Sequence, residues 1–236
     1  MFSNVANAEF SWKSTQQNEK IVKNMLGLAF MSAGDQFIMM SMAQVLAIPM
    51  ARPIFECEVA NRMYSPSAYY LASVSAGFSV FFLYPMFTAI ISYWWFGLDN
   101  PDWLGLLDWM GVLCIPAFLG SLWGFTFGTF FRNEMHALSF NFVFICIFNM
   151  GAGSYVNIGS GVGHFPLIVA TLSPIRYGTE MLLSRILQGK AFAKPVMLSL
   201  GYTLGDTNCL IAAAIISIVL FFTGWINLIR TNSYQD

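Results

Sequence analysis

The sequence predicts an all-α integral membrane protein with about five transmembrane helices. Of its 236 residues, 57% are hydrophobic and 10% carry a charge, whereas a soluble domain is usually about 45–50% apolar and about 25% charged. The apolar residues form long runs, and roughly 20 such residues let an α-helix cross the hydrocarbon core. Because the runs lack the alternation of barrel strands, helices are the structure that satisfies their backbone groups in lipid.

Five apolar runs qualify as spanning helices. They cover residues 25–50, 67–96, 105–131, 137–156 and 209–230. The preceding residues, 1–24, form a polar N-terminal segment, and residues 25–236 form one membrane domain. The spans use so much of the sequence that no soluble catalytic domain fits beside them.

Polar joints separate the runs. The first joint, within FECEVANRMYSPSAYYLA at residues 55–72, concentrates two carboxylates, an arginine and a proline between two spans. The second, 97–105, is a turn because it contains Asn-Pro and glycine, and the third covers 132–136. The fourth region, 157–208, mixes apolar and glycine-rich pieces, which indicates a re-entrant segment that dips into the membrane and returns.

The charge distribution bears on orientation and partners. Because successive joints alternate sides, the first joint, the third joint and the C-terminus share one face. That face carries four arginines, whereas the opposite face carries three lysines before the first span and further basic residues in 157–208. The positive-inside rule therefore predicts that the first joint lies outside. The formal net charge of −1 gives no indication of nucleic-acid binding.

No pattern in the sequence specifies a catalytic or metal site. The Walker A pattern that cradles ATP phosphates is absent. The two histidines lie far apart, and the four cysteines occur singly without zinc-ligand spacing. Three cysteines are predicted to be small buried hydrophobes, while Cys209, at a membrane edge, can instead pair with another chain. Whether the chain is part of an enzyme stays open.

Polar residues inside the spans are candidates for function. Asp35 follows the start of the first run by ten residues, and a charge near a helix centre costs at least about 2.5 kcal/mol. Either Asp35 lines a cavity or gate beside Gln36, or the span starts later and Asp35 lies at the interface. Asn141, Asn149 and Asn157 recur every eight residues, which puts them on one helix face. Such a stripe either lines a path or makes hydrogen bonds between helices.

The third run contains a glycine ridge formed by Gly120, Gly124 and Gly128 at steps of four residues. A ridge of this kind lets another helix approach closely, although glycine is also frequent in membrane helices in general. Either interpretation assigns these residues to packing rather than to chemistry.

The stretch RPIFECEVANRMYSPSAYYLA at residues 52–72 resembles the signature that follows the second membrane helix of ABC transporter subfamily G. These are half-transporters of pigment precursors, sterols, lipids and drugs. Four further stretches resemble elements of the family in the same order: KNMLGLAF (23–30), LYPMFTAIISYWWFGL (83–98), GAGSYVN (151–157) and LSPIRYGTEML (172–182). The resemblance covers residues 20–230. Within the signature, the matching residues are Phe55, Glu58, Tyr64, Ser65, Tyr69, Leu71 and Ala72.

The resemblance implies roles for three groups of residues. Stretch 55–72 would be a cytoplasmic coupling region that starts with a short amphipathic helix and rests on an ATPase domain. This placement opposes the charge count above, and the resemblance takes precedence because its motifs are more specific. The implied coupling residues are Glu58, Arg62, Tyr64 and Ser65. The implied re-entrant outer segment contains Pro174, Arg176, Tyr177 and Glu180. The implied substrate cavity, between the first and fourth runs, is lined by Asp35, Gln36, Phe37, Cys146, Asn149, Gly153 and Tyr155.

The chain also departs from the family pattern. Family half-transporters carry an N-terminal ATPase domain and six membrane helices, whereas this sequence matches from just before the second helix onward. The ATPase domain and the first helix are therefore expected on another chain or on a longer product, with ATP and Mg bound to that ATP-binding cassette.

The expected function is the permease part of an ATP-driven exporter of lipid-like, sterol or amphipathic molecules in a plasma or organelle membrane. It would act as a homo- or heterodimer among membrane lipids. The alternative is a non-transporting regulatory or assembly partner of full half-transporters.

Overall fold

The computed structural model describes residues 2–95, 103–153, 164–188 and 193–233. Every regular element within these ranges is an α-helix, which confirms the all-α class. In chain order, the helices are α1 Phe2–Val45, α2 Ala47–Ala60, α3 Pro66–Trp95, α4 Trp103–Phe130, α5 Glu134–Gly151, α6 His164–Leu172, α7 Pro174–Ile186, α8 Ala193–Leu200 and α9 Gly205–Ser233.

Four helical stretches of the described residues are long and apolar enough to cross a membrane. They are Val22–Ala60, Pro66–Trp94, Trp103–Phe130 and Gly205–Arg230, and they correspond to the first, second, third and fifth predicted runs. The fourth run corresponds to α5, which has 18 residues and is not among the four. A helix of that length spans about 27 Å, slightly less than the hydrocarbon core of about 30 Å.

The first span extends beyond the predicted limit of residue 50 because two helices continue one another. α1 ends at Val45, and after Leu46 the chain resumes as α2 up to Ala60. Pro49 accounts for the break, since a proline ring clashes with the carbonyl four residues earlier, here that of Val45. The carboxylates of the first joint therefore lie on the last turns of α2, which continues the first span.

α4 is the central helix, and it packs against α1, α2, α3, α5, α7 and α9. Its closest neighbour is α1, whose backbone lies on the glycine ridge of α4. A Cβ atom added at Gly124 would lie 2.5 Å from the carbonyl oxygen of Ser41, and one added at Gly128 would lie 2.8 Å from that of Val45. At Gly120, an added Cβ would meet backbone atoms of Phe37. The ridge thus fixes α1 against α4 without intervening side chains.

Candidate functional site

The joint between α2 and α3 is a tight turn that brings the predicted coupling residues together. α2 is followed by Arg62 in the left-handed region, with φ 55°. Ser65 precedes α3, and its hydroxyl accepts a hydrogen bond from the Ala68 amide at 3.3 Å, as a helix N-cap does. Across the turn, the Tyr64 hydroxyl donates to Glu58 Oε2 at 2.5 Å. Arg62 is exposed on the outside of the turn.

Three aromatic rings support this turn. The rings of Phe55 and Tyr69 have centroids 4.4 Å apart, and Tyr64 stacks on Tyr69 at 5.9 Å. Burial of the hydroxyl and its hydrogen bond to Glu58 together raise the pKa of Tyr64 to about 12. Within the described residues, the hydrogen-bonding partner of the Glu58 carboxylate is therefore this phenol rather than a basic group of a neighbouring helix.

The end of α4 is tied to two other helices on the same side of the molecule. Arg52, which is buried on α2, donates to the Thr129 carbonyl at 3.0 Å. Asn227 on α9 donates to the Thr129 hydroxyl, also at 3.0 Å. An ion pair at 3.4 Å joins Glu56 on α2 to Arg132 after α4. The sequence analysis did not select these residues. An arginine on an apolar helix can nevertheless indicate such a contact, because basic side chains often donate to the last carbonyls of a helix.

The predicted re-entrant residues lie on α7, which is enclosed by α1, α4, α5 and α9. Pro174 occupies the first turn of α7, where its missing N–H costs nothing. The Arg176 guanidinium donates to the Gly201 carbonyl at 3.1 Å, and Tyr177 donates to the Thr171 carbonyl at 2.6 Å. Arg176 and Tyr177 thus bond to carbonyls of the segments that follow and precede α7.

Glu180 holds the N-terminus of α9. It is fully buried, and its Oε1 accepts hydrogen bonds from the Leu204 amide at 2.8 Å and the Gly205 amide at 3.1 Å. A carboxylate at a helix N-terminus satisfies amides that have no partner within the helix. Burial nevertheless dominates and raises the pKa of Glu180, while the two amides and the Arg176 charge act in the opposite direction.

An ionic cluster joins three helices at the same end of the molecule as Glu180. Arg185 Nε lies 2.7 Å from an Asp108 carboxylate oxygen, and Arg185 Nη1 lies 3.0 Å from Asp206. Ser184 donates to Asp206 at 2.7 Å. The cluster connects α4, α7 and the start of α9, and sequence reasoning did not identify it.

The residues predicted to line one cavity are divided between two regions. Asp35 and Gln36 face α3, where they meet Tyr84 and Thr88 respectively. Phe37 faces the opposite way and packs edge-on against Phe148 of α5, with centroids 6.1 Å apart.

The α5 residues of the predicted cavity also differ in surroundings. Cys146 is exposed, and the half-buried Asn149 has its side-chain oxygen beside Gly34 of α1. Gly153 follows α5 with a positive φ of 92°. Tyr155 lies outside the described residues, and the lining role of the whole group stays a prediction.

Asn141 of the predicted stripe makes hydrogen bonds between helices. It is fully buried, and its side-chain oxygen accepts from Ser41 on α1 and from Trp123 on α4, both at 3.0 Å. Asn149 instead donates to the Ile145 carbonyl of its own helix, and Asn157 lies outside the described residues. The stripe thus includes one inter-helix junction, at Asn141.

The described residues contain no group of three His, Cys, Asp or Glu side chains that could hold a metal ion. The four cysteines, all within the described ranges, are unpaired. Cys209 is fully buried in this chain, which disfavours the predicted option of pairing with another chain.

A family model described as ABC-2 type transporter matches residues 3–187, which cover α2 to α7 and all of α1 except its first residue. The chain belongs to this family. It is therefore a membrane protein and the permease part of an ABC-type transporter, the class of membrane domain that usually pairs with an ATPase component. No curated protein matches the chain.

Proposed function

We propose that this chain forms the membrane-spanning half of a subfamily-G-like exporter, driven by an ATP-binding cassette that lies outside these 236 residues. The observation that carries the proposal is the family match, joined to a compact α2–α3 turn whose sequence resembles the subfamily-G signature. The turn offers an ATPase domain a rigid surface with an exposed cation, Arg62.

The hydrogen bonds to Thr129 connect this surface to the membrane-spanning helices α4 and α9. Movement of α2 acts on the carbonyl end of α4 through Arg52, and α9 is bound to the same residue through Asn227. In this proposal, closure of the ATPase displaces α2, and α4 and α9 follow. Two permease halves then alternate between inward-facing and outward-facing arrangements.

The proposed substrates are amphipathic or lipid-like molecules. The faces of α3, α5 and α9 that point away from the core carry large exposed apolar side chains, including Phe87, Phe142 and Phe222. Apolar clefts with a small number of polar groups suit ligands that are themselves mostly apolar. A dimer of two such chains would place some of these faces around a shared cavity.

The test is reconstitution with an ATPase-bearing partner. The chain is co-purified with candidate cassette proteins, inserted into vesicles, and assayed for ATP-dependent movement of a fluorescent phospholipid and a fluorescent sterol. The matched control is the same complex with the Walker A lysine of the partner replaced by alanine. Transport that needs no ATPase partner, or that continues with the inactive partner, would contradict the proposal.

The alternative is a regulatory partner of complete half-transporters, suggested by the absence of a Walker A pattern in the 236 residues. Co-expression with a complete half-transporter distinguishes the two functions. Lower efflux by the complete transporter, without transport by the reconstituted chain, would favour regulation.

A further inference from the structure

A cleft between α1, α3 and α4 contains polar groups that the proposed coupling mechanism does not use. Its volume is about 520 Å³, within the range of small-molecule sites. The polar lining comes from Ser32, Asp35 and Gln36 on α1 and from Thr88 and Ser92 on α3. Apolar side chains, including Met31 and Ile91, line the remainder. The cleft is thus an amphipathic site inside the hydrophobic part of the protein.

Gln36 presents an unused acceptor to this cleft. Its side chain is buried, with 1% of its surface exposed, and its Oε1 has no hydrogen-bonding partner. Its Nε2 donates to Thr88 Oγ1 at 2.7 Å. The Thr88 hydroxyl directs its own hydrogen to the carbonyls of Tyr84 and Pro85, at 3.0 and 3.1 Å. In this orientation Thr88 accepts from Gln36, and the Gln36 side-chain atom without a partner is the carbonyl oxygen.

Asp35 adds a second acceptor on the next residue of α1. Its Oδ2 accepts from the Tyr84 hydroxyl at 2.6 Å, but a carboxylate has about four acceptor positions. None of the ion pairs among the described residues involves Asp35. The Ser92 hydroxyl is already occupied, since it donates to Ala89 and accepts from Trp109. The unused capacity on Asp35 and Gln36 is therefore for accepting hydrogen bonds.

We propose that this cleft binds the protonated amino group of an amphipathic amine, with the ammonium hydrogens directed to Asp35 and Gln36 Oε1. A carboxylate within a spanning helix is costly unless a cation or donors compensate for it. An ammonium supplies three donors and the opposite charge. Met31 and Ile91 are 69% and 62% exposed, so an attached alkyl chain leaves the cleft along apolar side chains. The site goes beyond the proposed function, because binding here requires neither an ATPase nor transport.

The experiment is equilibrium binding to the purified full chain in nanodiscs of phosphatidylcholine, with empty nanodiscs as the background. The probes are tritium-labelled octadecylamine and tritium-labelled octadecanol, which share a chain length and differ in the charge of the head. The variants are Asp35→Asn, Gln36→Met and the control Gln44→Met. Gln44 is a buried glutamine on the same helix that does not line the cleft. Melting midpoints of all variants identify any that fail to fold.

We expect the native chain to bind the amine at least about tenfold more tightly than the alcohol, since charge-assisted hydrogen bonds are the stronger kind. Asp35→Asn should remove most of this preference, Gln36→Met should weaken amine binding severalfold, and Gln44→Met should leave it unchanged. Equal binding of amine and alcohol by the native chain would overturn the proposal, as would an unchanged amine affinity in folded Asp35→Asn. If that variant does not fold, the probe comparison and Gln36→Met decide.

Discussion

Replacing Gly124 with alanine tests whether the α1–α4 contact is as close as the structure shows. The added Cβ would lie 2.5 Å from the Ser41 carbonyl oxygen and 3.0 Å from both the Val45 amide nitrogen and Gln44 Cβ. Two of these neighbours are backbone atoms, and the third is bonded to the backbone. No side-chain rotation can therefore make room, and α1 itself must move.

The size of the effect follows from these distances. A contact at 2.5 Å is at least about 1 Å closer than the optimal separation of two non-bonded heavy atoms, so α1 must shift by a comparable amount. Overpacking of this kind costs about 1–3 kcal/mol in well-packed interiors. The shift would also disturb the hydrogen bond from Ser41 to Asn141, because Ser41 lies on the displaced turn.

The matched control is Gly111→Ala on the same helix. A Cβ at Gly111 meets no atom within 4 Å, so this change brings only the helix preference of alanine, a gain of about 1 kcal/mol. Both variants are purified in the same detergent, and their unfolding midpoints are measured by heating and by titration with a denaturing detergent.

Both variants gain the helix preference of alanine, so we expect them to differ by the overpacking cost alone, about 1–3 kcal/mol in the free energy of unfolding, with Gly124→Ala the less stable. Equal midpoints for Gly124→Ala and Gly111→Ala would refute the reasoning, because they would mean that α1 does not lie on the ridge.

Three further predictions concern the polar residues. Because burial raises the pKa of Glu180, the folded chain binds its proton more tightly than the unfolded chain. Stability should therefore fall as pH rises from 4.5, the ordinary pKa of a glutamate, through the raised pKa of Glu180, and the fall should be smaller in Glu180→Gln, as pH-dependent unfolding would show. Asn141→Leu leaves two donors without an acceptor and should cost about 1–2 kcal/mol in the same unfolding assay, so an unaltered midpoint would contradict the inter-helix role. Glu58→Ala should lower the number of molecules moved per ATP about fivefold or more in reconstituted complexes. Tyr64→Phe is the control, because it removes the hydrogen bond across the turn but keeps the Glu58 carboxylate. Normal coupling in Glu58→Ala would defeat the coupling assignment.

The spanning helices were predictable because the bilayer sets their length and their composition. The second run, 67–96, corresponds to Pro66–Trp95, and the third run, 105–131, corresponds to Trp103–Phe130. The continuation of the first span to Ala60 was not predicted, since the first run ended at residue 50 and the resemblance implied a separate short amphipathic helix from residue 55. Prolines were weak guides here, because Pro53, Pro85 and Pro116 all lie inside helices.

The partners of polar residues could not be predicted from spacing along a helix. The sequence showed that Asp35 needs a polar or wet environment, but its partner Tyr84 is 49 residues away on another helix. α7 illustrates the same limit: the resemblance places Glu180 in a re-entrant segment, but its hydrogen-bonding partners are the Leu204 and Gly205 amides, 24 and 25 residues later, at the start of α9. Such pairs depend on which helices pack together and on how each helix is rotated about its axis. Neither can be predicted from the residues around one position of a single sequence.

The ties between α4 and α9 have a mechanical consequence. Thr126 donates to the Leu220 carbonyl at 2.9 Å, and one turn further Asn227 donates to the Thr129 hydroxyl. Because these two hydrogen bonds lie at different positions along the helices, α4 and α9 cannot rotate relative to each other about either bond. A force that reaches α4 through Arg52 therefore acts on α4 and α9 together. A pair of connected helices resists bending better than either helix alone. In the proposed transport cycle, α4 and α9 would therefore move together as a pair.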